Sequence, residues 1–379
     1  MPRPAFTADE ASAMASERFG LGEVSSVSDL PSYDDQNFRI NTAARGSFVL
    51  KIAAAEAECR GYCDAEATKG MMEMENEAMR LMAAAGVTVP SLIAAVSPGC
   101  GGDIVTLEHL GAASKEPGTC FVRLISFLPG VVLAEVQPHP SCLLRRLGTC
   151  LGLMDCALAA FSHSCAERDL TWDLANALRA REHLADVTEP ARRQLAERVL
   201  GRFEAQVTPK LMSLPRQVVH GDVNDYNVLV APAALEDGDG RSGAAEGVGV
   251  IDFGDMVFTA RVCNIAVALA YICMGKEDPL AVAAQVVRAY HAVNPLTDEE
   301  LSLIWPMLGA RNCQSALNAA HSSALEPDNE YLLVSAAPAW ALLELAETIS
   351  ADKAAAAFTA AAAAAADTDV PEKEDDHRL

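Results

Sequence analysis

The stretch Val218-Val219-His220-Gly221-Asp222-Val223-Asn224-Asp225-Tyr226-Asn227-Val228-Leu229-Val230, followed downstream by Val250-Ile251-Asp252-Phe253-Gly254-Asp255, decides how the rest of the chain is read. An apolar strand runs into a polar loop holding Asp222 and Asn227, and a second apolar strand ends at Asp252. Phosphoryl transfer needs this kind of set, one base for the attacking hydroxyl and two oxygen ligands for the cations on the phosphates. Asp222 can accept a hydroxyl proton, and Asn227 lies one loop-turn on, with its amide oxygen able to reach a metal. Asp252 projects its carboxylate from a strand end toward the same ion. Turn aspartates are common and either half alone is ordinary. Both halves in this order, each flanked by β-rich apolar sequence, point to a phosphotransferase.

Such chemistry also needs a cation on the nucleotide phosphates. Val49-Leu50-Lys51-Ile52 places Lys51 on an apolar strand, shortly before a helical pattern over Met71–Ala85. A carboxylate on that helix is the natural partner of Lys51. Glu75 shares a face with Met79 and Met82 and points inward with them, whereas Glu77 sits about 200° around the helix and faces solvent. The choice is Glu75.

Composition narrows the class. A chain of 379 residues, 51% of them hydrophobic, buries a sizeable core and is long enough for two lobes. The net charge of −23 excludes a nucleic-acid partner, which would need a basic patch, and it suits a cationic small substrate. The 11 cysteines are scattered, without a C-x-x-C pair or a following histidine cluster, so neither a zinc site nor a disulfide framework is expected. Residues 1–10 lack the apolar core of a signal peptide, and the apolar run Val262–Gly275 is too short to span a bilayer. A soluble, cytoplasmic protein without membrane association is the expectation, and the residues do not specify an oligomeric state.

Patterning predicts a helix over 7–20 capped by Thr7 with Glu10, and strands near Asn37–Ile40 and Ser47–Ile52. Ala53–Gly70 has no clear period. Ile104–Leu107 and Cys120–Phe127 read as a strand pair, and Leu128-Pro129-Gly130 turns the chain out of it. Beyond lie a helix over 143–161 and further helices over 174–186, 189–213, 262–274, 279–292, 298–320 and 329–349. Residues 232–247 read as a surface insertion with no function of their own. The expected fold class is α+β, with a β-rich lobe over 1–130, a larger helical lobe over 131–353, and a disordered acidic tail over 354–379.

The motif residues carry a resemblance. His220 to Asn227 and Ile251 to Asp255 are similar to the His-Gly-Asp-x-x-x-x-Asn loop and Ile-Asp-Phe/Trp-Gly-Asp strand end of the aminoglycoside phosphotransferase/choline kinase-type family. Leu30–Phe38, Phe121–Gly130, Ile251–Met256 and Arg311–Ser315 resemble the hydroxylysine kinase branch of it, and the likeness spans roughly residues 20–350. It implies a two-lobed, protein-kinase-like fold, with Asp222 as base and His220 as a brace for the loop. It also implies Mg2+ on Asn227 and Asp252, and a nucleotide base held by backbone groups near Ile125–Leu128. Ser32–Asn37 stands where a glycine-rich loop covers phosphates in protein kinases. The implied donor is GTP, although the residues do not separate GTP from ATP. The implied acceptor is a small amino alcohol or hydroxy amino acid, 5-hydroxylysine foremost. The alternatives are an aminoglycoside, choline or homoserine kinase, or a non-catalytic binding protein of the same fold. Asp255 contacts a second metal or the substrate, or orders the loop. Asp225 is read as facing water. Arg311 pairs with a substrate carboxylate or with an internal acid.

Overall fold

The computed structural model describes residues 3–32, 35–55, 64–96, 102–114, 117–236, 245–325 and 336–366. Helix α1 (Ala8–Phe19) begins as expected, with the Thr7 hydroxyl accepting from the Glu10 amide and the Glu10 carboxylate accepting from the Thr7 amide. Strands β1 (Val24–Leu30), β2 (Gln36–Thr42) and β3 (Gly46–Ala54) follow, then helix α2 (Ala65–Ala84). After it come β4 (Leu92–Ile93), β5 (Ile104–Leu107) and β6 (Cys120–Ser126). These strands form an antiparallel sheet in the order β1-β2-β3-β6-β4, with β5 also paired to β6. Strand alternation sends Phe38, Ile40, Phe48, Leu50, Ile52, Val122 and Leu124 to the face covered by Phe6, Ala11, Ala15 and Phe19 of the α1 region. Lys51 and Arg123, cross-strand partners on β3 and β6, therefore emerge together on the opposite face, the one toward α2. The edge strand β1 escapes the sequence reading because Val-Ser-Ser-Val-Ser-Asp-Leu buries none of its residues fully.

The second half is helical around short strands: β7 (Val131–Val132), α3 (Ser141–Leu158), α4 (Pro190–Gln206), β8 (Arg216–Val219), β9 (Val228–Val230), β10 (Val248–Val250) and β11 (Val257–Ala260). Helices α5 (Val262–Ile272), α6 (Pro279–Val293), α7 (Asp298–Leu325), α8 (Ala336–Ala346) and α9 (Ala351–Ala366) complete it. β9 lies between β10 and β7, and β8 pairs with β11, so the β8–β9 and β10–β11 loops leave two adjoining ladders side by side. One apolar core runs from Met71, Met74 and Met79 of α2 through α3 to α5, α6 and α7. Helix α5 is apolar on every side because it is wrapped by the others. Among the described residues no helix is long and apolar enough to cross a membrane.

Several expectations change. The segment Leu174–Asp186 winds as 3-10 rather than α-helix, and α4 stops at Gln206 instead of reaching 213. Disorder from residue 354 fails for 354–366: α9 buries Ala354, Phe358 and Ala362 against α6 and α7, with the Phe358 ring 6.4 Å from Trp305. An alanine run with apolar residues at i, i+4 and i+8 needs only a waiting groove to become a helix. The acidic remainder of the tail, residues 367–379, lies outside the described residues, as do 56–63 of the unassigned Ala53–Gly70 stretch and 237–244 of the 232–247 segment. The described cysteines are all free thiols, six of the eight buried.

Candidate active site

The two motif loops meet through backbone and a glycine. Gly221 has φ +83°, and a Cβ there would stand 2.3 Å from the Asp255 carbonyl oxygen, so no side chain fits where the β8–β9 loop crosses the β10–β11 loop. Gly221→Ala is expected to cost about 2–4 kcal/mol, combining left-handed strain with overlap against backbone. Urea unfolding checks this, and a loss under about 1 kcal/mol would mean the loops can part without harm.

His220 is fully buried beside Phe253, the ring centroids 4.9 Å apart. Its Nδ1 accepts from the Asp222 amide at 3.3 Å, so Nε2 carries the hydrogen and donates to the Ile251 carbonyl at 3.2 Å. Burial pushes its pKa down to about 4, leaving a neutral imidazole. The ring thus stitches the start of one motif to the residue before Asp252 in the other. Both ring nitrogens are spent on backbone, and the ring braces the two loops.

Asp222 sits where three donors converge. Its Oδ2 accepts from Asn224 Nδ2 at 2.8 Å and from Asn227 Nδ2 at 3.1 Å, and its Oδ1 accepts from Arg311 Nη2 at 2.6 Å. Burial pushes its pKa up to about 7; Arg311 pulls it back down, while Asp255 and Asp252 push it further up. Asn227 also donates to the Asp222 carbonyl at 2.9 Å. With its amide nitrogen turned to Asp222, its Oδ1 is the atom able to ligate a cation. Asp225, read as facing water, is instead half-buried, and its Oδ1 has no hydrogen-bond partner among the described residues. Burial pushes its pKa up to about 6.

Asp252 is the one described non-glycine residue with positive φ, at 63°. An L-residue accepts that conformation at a cost of roughly 1–2 kcal/mol, which aspartate tolerates better than most. The result is a carboxylate turned out of the strand end, 56% exposed, with its Oδ1 3.7 Å from Lys51 Nζ, itself only 13% exposed. The N-terminal sheet and the motif strand thereby face each other across a lysine and an aspartate. Glu75 is buried and Glu77 exposed, as helix phase indicates. Glu75 forms a buried ion pair with Arg123, the cross-strand neighbour of Lys51, and Asn76 Oδ1 accepts from the same guanidinium at 2.8 Å. Glu75, expected as the partner of Lys51, lies under the same face of the sheet and is ion-paired to Arg123, a cation that sequence reading missed, while Lys51 is paired to Asp252.

Of the two hinge candidates, Ile125 is buried and paired with Val49 on one side and Leu92 on the other. The next two amides are spent on Ser91 and Ser47 carbonyls, at 2.8 and 3.0 Å. Leu128, beyond this pairing and half-exposed, is the better placed to offer backbone to a nucleotide base. Tyr33 and Asp34 of the proposed phosphate-covering turn lie outside the described residues.

Arg311 is buried on α7 with Nη1 donating to the Trp172 carbonyl at 3.0 Å and to Gln314 Oε1 at 3.3 Å, its guanidinium 4.9 Å from the Trp172 ring and 5.6 Å from that of Tyr271. Sequence reading expected its partner on the substrate or within a helix; the structure gives it Asp222. Two supports were missed. Arg168 donates to the Gly254 carbonyl at 2.6 Å and the Met256 carbonyl at 3.0 Å, clamping the turn that carries Asp255. Asn264 accepts from the Gly221 amide at 3.3 Å and donates at 2.8 Å to Asp155, a buried acid that also accepts from Tyr290 at 2.6 Å. Asn264 interrupts an apolar run and Asp155 an apolar helix face, the signal that could have marked them.

The comparisons with known proteins give the family and the fold. The model of the phosphotransferase enzyme family matches residues 26–302, and the chain belongs to that family. The hydroxylysine kinase of Mus musculus is 30% identical over 356 residues, covering 90% of this chain and 89% of that protein. Among solved structures, a microcompartment-associated aminopropanol kinase superposes with a TM-score of 0.63 at 15% identity, covering 90% of this chain and 97% of that one. The amicoumacin kinase hAmiN, in complex with AMP-PNP, Ca2+ and Ami, superposes with a TM-score of 0.60 at 14% identity, covering 89% and 92%. The chain is a kinase acting on a hydroxyl acceptor, with an antiparallel-sheet N-lobe and a helical C-lobe.

Proposed function

We propose that this kinase transfers the γ-phosphoryl group of GTP or ATP to the 5-hydroxyl of hydroxylysine, with Asp222 as the base. The observation that carries the reading is the placement of Asp222 among Asn227, Asn224 and Arg311, facing a Lys51–Asp252 pair that spans the two halves. The likeness to hydroxylysine kinase over nine-tenths of the chain supports this acceptor within the family, and the net charge of −23 suits a substrate with two ammonium groups.

Asn227 Oδ1 and the Asp252 carboxylate are hard oxygen donors, the kind Mg2+ takes, and they would hold it beside Lys51. When bound there, Mg2+ would neutralise charge on the phosphates. Lys51 adds a fixed cation on the N-lobe side. Asp222 orients the acceptor hydroxyl and takes its proton as the oxygen attacks the γ-phosphorus, the bond from that phosphorus to the bridging oxygen breaks, and GDP or ADP leaves. Leu128 offers backbone to the nucleotide base, and Asp255, on the turn held by Arg168, lies within reach of the same charge cluster.

The test is phosphate transfer from GTP and from ATP to hydroxylysine, homoserine, choline, aminopropanol and an aminoglycoside. Hydroxylysine is expected to give the highest kcat/KM. A faster rate on another acceptor removes the substrate assignment and leaves the chemistry. No transfer to any acceptor favours a binding protein of this fold. Lys51→Ala is expected to lower kcat/KM for the nucleotide by about 10²-fold, the scale of one electrostatic donor. An unchanged value would place Lys51 outside the phosphate site.

A further inference from the structure

Away from the catalytic loops, His183 and Asp186 at the end of the 3-10 segment face His321 on α7. The Asp186 Oδ2 lies 2.8 Å from His321 Nδ1 and 3.9 Å from His183 Nδ1, and each of the three residues offers an atom within 4.8 Å of the other two. The two imidazoles stack with centroids 4.0 Å apart and planes 22° apart. Their side chains are 17, 30 and 40% exposed for His183, Asp186 and His321, so the cluster can be reached from solvent.

We propose that His183, Asp186 and His321 form a binding site for a transition-metal dication of the Zn2+ type, separate from the catalytic centre. Two imidazoles and one carboxylate are a standard Zn2+ donor set, with a fourth position open to water. A tetrahedral ion about 2.1 Å from each donor asks for donor–donor distances of about 3.4 Å. The observed 2.8 and 3.9 Å bracket that value. Occupancy requires the stacked rings to splay slightly, and the exposed edge of His321 leaves room for it. Nitrogen donors also set the selectivity: Mg2+ prefers oxygen and keeps its waters, so the ion favoured at Asn227 and Asp252 is disfavoured here. The sequence reading sought cysteine spacing and found none. These ligands escape such a search because Asp186 and His321 stand 135 positions apart and only the contact of the 3-10 segment with α7 unites them.

Placement gives the site a structural consequence. Arg311 and His321 share α7, about 15 Å apart along its axis. Arg311 and Gln314 already bond the Trp172 and Thr171 carbonyls just before the 3-10 segment. A metal at the far end would staple the same two elements a second time, and it would bind only the folded chain.

Chelator-treated full-length protein is titrated with Zn2+ in excess Mg2+, followed by calorimetry and by thermal unfolding. One Zn2+ per chain and a rise in Tm of a few degrees are expected, with the Tm rise abolished in His321→Ala and in Asp186→Asn and retained in Asp252→Asn. Co2+ in place of Zn2+ is expected to give the intense visible absorption of a four-coordinate ion, and circular dichroism confirms that each variant is folded. Absence of saturable Zn2+ uptake overturns the proposal. So does uptake that survives His321→Ala but disappears in Asp252→Asn, which would assign the ion to the oxygen donors of the active site.

Discussion

Asp222→Asn is expected to lower kcat by a hundredfold or more, with nucleotide affinity and fold retained. The amide keeps the size of the carboxylate and can still accept from Arg311 Nη2, but it cannot take a proton, and general-base help accounts for about 10²–10⁴ in rate. The same assignment fixes the pH dependence. The base must be ionised, and the Asp222 pKa is raised to about 7 in the free enzyme by burial and by Asp255 and Asp252. Activity measured as kcat/KM therefore falls as pH drops through about 7. The fall in kcat comes at lower pH, because cations delivered with the nucleotide favour the carboxylate. Turnover within about tenfold of the parent enzyme, or an acid limb near the ordinary carboxylate pKa of about 4, removes Asp222 from the base role.

Arg311→Met is the second large effect, and its signature separates two readings of one residue. The guanidinium opposes the burial of Asp222 and its two acidic neighbours. Removing it raises the Asp222 pKa further, because the opposite charge that favours the carboxylate is gone. The acid limb of kcat/KM then moves to higher pH for every acceptor, activity at pH 7 falls by at least about tenfold, and Arg311→Lys restores part of it. Had Arg311 served the substrate carboxylate instead, the loss would fall on KM for hydroxylysine. A decarboxylated amino alcohol would be spared and the acid limb would stay in place. Methionine keeps the length of the side chain against Trp172 and Tyr271, and chemical denaturation shows whether the fold survives.

Much of the site could be read because its chemistry is local. Asp222 and Asn227 share one loop, and the hydrogen bond between them is a property of that loop. Glu75 could be told from Glu77 as the inward-facing acid from helix phase alone, since periodicity is written in consecutive residues. The unread parts are pairings between distant segments. Arg168 reaches carbonyls 86 and 88 positions away, and Arg311 meets Asp222 across 89. An arginine in an apolar helix announces that it has a partner but does not say which. The tail misreading has the same origin, because its composition resembles disorder and only the groove beside α6 and α7 makes α9 a helix.

By itself, then, the order of residues determined the reaction class and the alternation of strand and helix, and it put forward Asp222 as the base and Asn227 and Asp252 as the metal-facing oxygens, because these depend on spacing within single turns and strands. Only the tertiary structure decided that Glu75 meets Arg123, that Arg311 meets Asp222, and that two histidines and an aspartate from separate elements converge. A charge chooses its partner by distance and burial in three dimensions, and those are settled when the core packs, not when the chain is written.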